Sequence, residues 1–471
     1  MKADPATLGP LREALAAADY SEARLAERFG IQGALSPDER ERPFHLRVLG
    51  DARPLSTLVR LFQLALDVGR DEAAAALAPA SLESLAAGGL LELGDGGRVC
   101  STLALHPVAD LYVASDWERE DRAPERRDHV LGPSAPSRSL VALTPREPVR
   151  SALDVGTGCG LQALETARHA PRVVAADVNP RALELTRLNA VLNGLENVET
   201  REGSLFDPVE GERFDLVVCN PPYVVSPETA YVFRDSGLPG DSFCEALVRR
   251  VPRFLSADGG IGLALVSWVH CTAEDWSAPL RRWVDGSGCD ALLIRRHSLD
   301  PLAYAAAWNR ILALEPDAYE AALARWLAYY EELRVELIGW GAVVLRRGGR
   351  GAVTAVDVPG EPESGAGAHV SRLLDAHRLA DGALLDTRLA LPDDHRIEQA
   401  LALRNGQATV EQSVLRLVGG LPVEARLDLQ ALQLVAELDA GRTAREVLSD
   451  PEAGLPALRQ LVELGLLVPA G

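Results

Sequence analysis

The stretch "FDLVVCNPPYVVSP", residues 214–227, begins as a buried strand and ends abruptly. Leu216, Val217 and Val218 form an unbroken apolar run. Asn220, Pro221, Pro222 and Tyr223 follow directly. The prolines lack backbone N–H groups and cannot extend a sheet ladder. A central strand therefore finishes in a carboxamide, two rigid residues and an aromatic ring.

Upstream lies "LDVGTGCG", residues 153–160, holding Asp154, Gly156, Thr157, Gly158 and Gly160. Glycines at a strand-to-helix turn let the backbone bend sharply and approach a ligand closely. The next strand, "RVVAADV", ends in Asp177. A carboxylate there can accept hydrogen bonds from both hydroxyls of a ribose. A dinucleotide and S-adenosylmethionine both suit this layout. The dinucleotide fingerprint GxGxxG would need glycine where Leu161 stands, and the loop is instead GxGxG. After a third strand comes "REGSLFDP", holding Ser204, Leu205 and Phe206, of which Phe206 could simply pack in the core.

From about 141 to 348 strands alternate with helices. The strand candidates are "SALDVG", "RVVAADV", "NVETREG", "FDLVVCN", "GGIGLALVSWV", "CDALLIRRH" and "LIGWGAVVLRR". Such alternation indicates an α/β, doubly wound, Rossmann-like sheet, here of seven strands. The last connection carries an extra helical stretch, "AYEAALARWLAYYEELR". The expected domains are 1–130, 131–350 and 360–471. The first is helical with a hairpin turn at Gly94–Gly97, and the last is an amphipathic bundle. Both read as winged-helix-like, yet "SLESLAAGG" offers no Arg or Lys for reading bases, so packing or substrate guidance is the expected role. Residues 116–140 and 357–368 read as linkers by composition.

The chain carries 68 acidic against 48 basic residues, a formal net charge of -20. That field repels bulk nucleic acid unless a local arginine patch reverses it. "RAPERRDH" and "LRRGGR" are the candidate patches. The six cysteines form no CxxC pair and sit at no metal-ligand spacing, so no metal is expected. No apolar signal region opens the sequence and no run approaches the roughly 20 apolar residues of a membrane span. A cytoplasmic location without membrane partners is the expectation.

Residues 150–270 resemble the class I S-adenosylmethionine-dependent methyltransferases with an Asn/Asp-Pro-Pro-aromatic motif. They are similar to the methyltransferase small domain of release-factor glutamine and ribosomal RNA amino methyltransferases. The resemblance implies S-adenosylmethionine as cofactor, with contacts at Asp154, Gly156, Thr157, Gly158, Gly160, Asp177, Ser204, Leu205 and Asn220. It implies that Asn220, Pro221 and Tyr223 handle the substrate. In that family Asp often stands in place of Ser204. The flanking modules do not match the release-factor enzymes.

A planar nitrogen is a poor nucleophile because its lone pair is delocalised. The Asn220 side-chain carbonyl and the Pro221 backbone carbonyl can accept its two N–H bonds, while Tyr223 stacks on the flat group. The cofactor brings the reactivity and the protein brings alignment. The expected substrate is a macromolecule: a nucleobase amine of RNA or DNA, or a glutamine of a basic translation-related protein. A small-molecule N-methyltransferase and a non-catalytic binding module on the same fold are the alternatives. The sequence leaves the oligomeric state open.

Overall fold

Four short strands carry the site, and their composition explains their placement. They are β1 (Ala152–Val155), β2 (Val173–Asp177), β3 (Val198–Glu202) and β4 (Leu216–Cys219). β1 and β4 are buried along their whole length, as expected of strands covered on both faces. In the computed structural model β1 pairs in parallel with β2 and with β4, and β2 pairs in parallel with β3. The order is therefore β4-β1-β2-β3. The direction of winding reverses between β1 and β4, and the loops leaving those two strands meet at this switch point.

The structure describes residues 2–30, 41–50, 53–118, 126–229, 234–270, 275–376, 378–404 and 407–470. Contacts divide them into two units. The first comprises Met1–Arg138, Pro148–Cys244 and Asp300–Val335. It holds the four parallel strands, the N-terminal helices and two hairpins. The first hairpin pairs Leu91–Gly94 with Arg98–Ser101, with Gly96 and Gly97 at positive φ in the turn. The second pairs Ala104–Val108 with Leu111–Ser115.

Helix α3, Pro180–Leu192, binds this second hairpin to the sheet. α3 is preceded in the chain by α1 (Ala135–Leu143) and α2 (Leu161–Thr166). Asn189 on α3 is fully buried. Its Oδ1 accepts from Ala114 N–H at 2.8 Å, and its Nδ2 donates to Ala114 C=O at 2.9 Å and to Cys159 C=O at 2.8 Å. Asn193 exchanges a similar pair of bonds with Tyr112. Two side-chain amides thus stand in for a missing neighbouring strand.

The second unit comprises Ser139–Glu147, Glu245–Leu299 and Glu336–Gly471. Its strands are β5 (Ile261–His270), β6 (Cys289–Leu299), β7 (Leu337–Arg347) and β8 (Val353–Asp357). β7 runs antiparallel to both β5 and β6, while β8 lies parallel to β6. The α/β class holds; among the described residues β8 adds one strand to the seven candidates, and β7 runs against its neighbours. The added strand is "VTAVD", directly before the segment read as a linker.

The C-terminal region, read as a winged-helix-like bundle, includes a long hairpin. His395–Arg404 and Gln407–Leu417 form a long antiparallel hairpin, extended by Glu424–Leu427. Its core joins Leu415 and Leu427 to Val435, Leu438, Leu458 and Leu466. No described helix is long and apolar enough to cross a membrane.

Candidate active site

The loop after β1 turns at once. Gly156 and Thr157 N–H both donate to Ala176 C=O on β2, at 2.8 and 3.0 Å. Gly156, Gly158 and Gly160 all take positive φ (73°, 57° and 86°), where other residues are strained. Their surroundings differ. A Cβ at Gly156 or Gly158 would meet nothing within 4 Å. A Cβ at Gly160 would lie 2.9 Å from Thr186 Oγ1 of α3. The first two glycines leave space for a ligand, and the third lets a helix pack closely.

Asp154 sits behind this loop, 1% exposed. Its Oδ2 accepts from Thr157 Oγ1 at 2.7 Å and from Ala163 N–H at 3.1 Å. Burial pushes its carboxyl up to about 7, against the lowering effect of those two bonds. Asp177 ends β2 with Oδ2 accepting from Gly158 N–H at 3.0 Å and Oδ1 from Asn179 N–H at 2.8 Å. Burial raises its pKa as well, opposed by these backbone donors.

A cavity of about 490 Å³ opens over these groups, wholly within the first unit. Gly156, Thr157, Gly158, Asp177, Ser204, Leu205, Asn220 and Pro221 line it. Asp154, Gly160 and Tyr223 are not among its lining residues. The first supports the loop from beneath, and the second packs on α3. The Tyr223 ring stands edge-on to Trp308, with centroids 6.4 Å apart. The expected stacking platform is turned toward that partner, because a helical pair wraps the loop from outside. Phe206 is fully buried and is not among the lining residues, which is the core reading.

That pair is α4 (Pro301–Trp308) and α5 (Pro316–Glu332), the extra stretch between β6 and β7. Tyr304 Oη accepts from Val225 N–H at 3.2 Å, and Tyr330 Oη donates to Val225 C=O at 2.8 Å. Trp326 Nε1 donates to Glu228 at 3.2 Å, and Gly240 N–H donates to Tyr329 Oη at 2.7 Å. Val225, Glu228 and Gly240, in the chain leaving Pro222, are thus held by four aromatic side chains.

Asn220 is the point where the motif meets the cavity. Its Nδ2 donates to Ser137 Oγ at 3.1 Å. Its Oδ1 is buried and has no hydrogen-bond partner. Native proteins rarely leave a buried carbonyl unpaired without a reason. A ligand N–H would satisfy it.

Several lining residues escaped the sequence reading. His129, Val130, Leu131, Gly132, Ser134 and Ser137 come from the segment taken as a linker, of which 119–125 lie outside the described residues. Its described residues are fixed in place. Asp116 Oδ2 accepts from Val130 N–H at 2.9 Å, and Asn179 Nδ2 donates to Asp128 C=O at 2.9 Å. Gly132 approaches the second hairpin so closely that a Cβ would lie 2.9 Å from His106 Nε2. Nothing in a Pro- and Ser-rich run announces such a role. Gln162 and Val178, by contrast, flank Gly160 and Asp177 closely enough that adjacency alone could have flagged them.

Three arginines of the candidate patches have internal partners. Arg346 pairs with Asp375 at 2.7 Å and donates to Leu374 C=O, while Arg347 donates to Pro252 C=O. Arg126 forms a two-pronged pair with Asp128.

A parallel sheet with a ligand-facing glycine loop, an acidic second strand end and an Asn-Pro-Pro-Tyr exit from the fourth resembles the site of the methyltransferases that take S-adenosylmethionine. The residues fit that cofactor. Gly156 and Gly158 would let it approach the backbone, Asp177 would hold its ribose, and Val178, Ser204 and Leu205 would border its base.

Residues 135–261 match the family model of the methyltransferase small domain, and residues 17–101 match a domain of unknown function (DUF7059). A release factor glutamine methyltransferase of Aquifex aeolicus is 30% identical over 175 residues, 34% of this chain and 62% of the relative. The corresponding protein of Koribacter versatilis is 33% identical, covering 30% and 56%. A ribosomal protein uL3 glutamine methyltransferase of Bradyrhizobium diazoefficiens is 34% identical, covering 24% and 40%. The chain thus spans less than two thirds of the length of these relatives.

Proposed function

We propose that this protein is an S-adenosylmethionine-dependent N-methyltransferase whose substrate is the side-chain amide of a glutamine in a basic, translation-related protein. The observation that carries the reading is the buried, unpartnered Asn220 Oδ1 beside a cavity shaped for the cofactor. The names of the relatives and the net charge of -20 favour protein over nucleic acid. So does the commitment of Arg346 and Arg347 to internal partners. A cytoplasmic location belongs to the same reading.

Bound S-adenosylmethionine supplies an electrophilic methyl group whose departure leaves a neutral thioether. Asn220 Oδ1 accepts one N–H of the incoming amide, and the Pro221 carbonyl accepts the other. Both bonds draw the nitrogen out of conjugation and free its lone pair for the methyl carbon. The prolines restrict the backbone, so the acceptors need no reorganisation during the reaction. As the N–C bond forms, the nitrogen becomes cationic and releases one proton to water, since a carboxamide is no base. Asp177 would hold the cofactor's ribose hydroxyls.

Incubating the protein with methyl-labelled cofactor and cell extract tests this. Label should survive nuclease, disappear into peptides with protease, and be released as methylamine by acid hydrolysis. Label lost to nuclease instead would overturn the substrate assignment.

A further inference from the structure

We infer that Ser137 is a positioning residue that fixes which end of the Asn220 carboxamide faces the substrate; the inference rests on the glutamine reading above. The two ends of a carboxamide have opposite hydrogen-bonding sense. A half-turn of the side chain would replace the acceptor with an NH2 group, which opposes a substrate N–H. Something must choose the orientation, and Ser137 Oγ, 3.1 Å from Nδ2, is the partner in place.

A serine hydroxyl can donate or accept, so the contact alone would tolerate either end. The neighbours of Ser137 offer its hydroxyl proton another acceptor. Its Oγ lies 3.0 Å from Ser134 Oγ, and its own N–H donates to that same Ser134 oxygen at 3.4 Å. Either hydroxyl of that pair can donate; when Ser137 donates to Ser134, its oxygen presents only lone pairs to Asn220. Those lone pairs call for the NH2 end. Gln162 Nε2 donates to the Ser137 carbonyl at 2.7 Å, anchoring the first turn of α1 to α2. Gln162 is itself 5% exposed, so the anchor is sheltered from water. The Ser134–Ser137–Asn220 contacts are partly buried, and a polar chain specifies one arrangement when every other member is satisfied. The one atom left over is Asn220 Oδ1.

The test compares Ser137→Ala, Ser137→Thr and Asn220→Ala with the wild type. Turnover is read on the labelled protein fraction, and affinity for S-adenosylhomocysteine is read by calorimetry. Ser137→Ala should lower kcat by about tenfold or more, the scale of one hydrogen bond in the transition state, with product affinity within about twofold of wild type. Ser137→Thr, which restores the hydroxyl, should recover most of the rate. The Asn220 side-chain amide resonance, identified as the pair missing from Asn220→Ala, should shift in Ser137→Ala and return in Ser137→Thr. Absence of that shift overturns the inference with no substrate needed. Wild-type turnover in Ser137→Ala, with Asn220→Ala inactive, overturns the inference alone. Wild-type turnover in both variants overturns the functional reading and this inference with it. A joint loss of turnover and product affinity that threonine does not rescue marks Ser137 as structural and also overturns it.

Discussion

Asn220, Asp177 and Asp154 divide three tasks among groups that differ mainly in what surrounds them. Asn220→Ala should abolish methyl transfer while leaving cofactor affinity largely intact, measured by turnover and calorimetry together. Asp177→Ala should weaken cofactor binding by at least about tenfold, on the order of one charged hydrogen bond. Asp154 makes a pH prediction. Its folded pKa of about 7 lies above the ordinary value of 3.8. The folded state therefore holds a proton that the unfolded state has released between those values. Its stabilising contribution is full below about 4 and is lost as pH rises through 7. Asp154→Asn should flatten that part of the stability profile in denaturant titrations. At this scale much was legible, because the motif residues are contiguous. What composition could not separate was Gly156 from Gly160. Both bend the loop, but only the packing of Thr186 shows which of them faces a ligand.

The helical pair α4–α5 is the element that gives the motif loop its fixed course. Tyr330→Phe removes the donor to Val225 C=O and leaves a buried acceptor unpaired, which costs about 1–3 kcal/mol. The expected outcome is a lower kcat and a lower unfolding midpoint, with unchanged cofactor affinity. An unchanged kcat would limit the pair to stability. The stretch was readable as helix from its apolar spacing, but its target was not, since contacts such as Tyr330–Val225 span 105 residues. β8 was missed for a different reason. "VTAVD" has only five residues and abuts Pro- and Gly-rich sequence. The long C-terminal hairpin was hidden by leucine and arginine in strands that face water for half their length, where strand periodicity carries no burial signal.

Across the whole first unit, Asn189 joins the second hairpin to the glycine loop through three buried hydrogen bonds. Asn189→Leu should therefore destabilise the protein by several kcal/mol, since it strands two backbone carbonyls and an N–H. It should weaken cofactor binding too, because Cys159 lies in the loop. Calorimetric titration of the folded fraction checks the second effect. The first unit is also assembled from three separate stretches of chain, the last being Asp300–Val335. During synthesis, which proceeds from the N-terminus and lets early segments fold first, Asn220 emerges well before Tyr304 and Tyr330 exist. Until those tyrosines leave the ribosome, Val225 has neither of its two side-chain partners. A nascent chain therefore passes through an interval in which its glycine loop has emerged and its Asn-Pro-Pro-Tyr loop is unbraced.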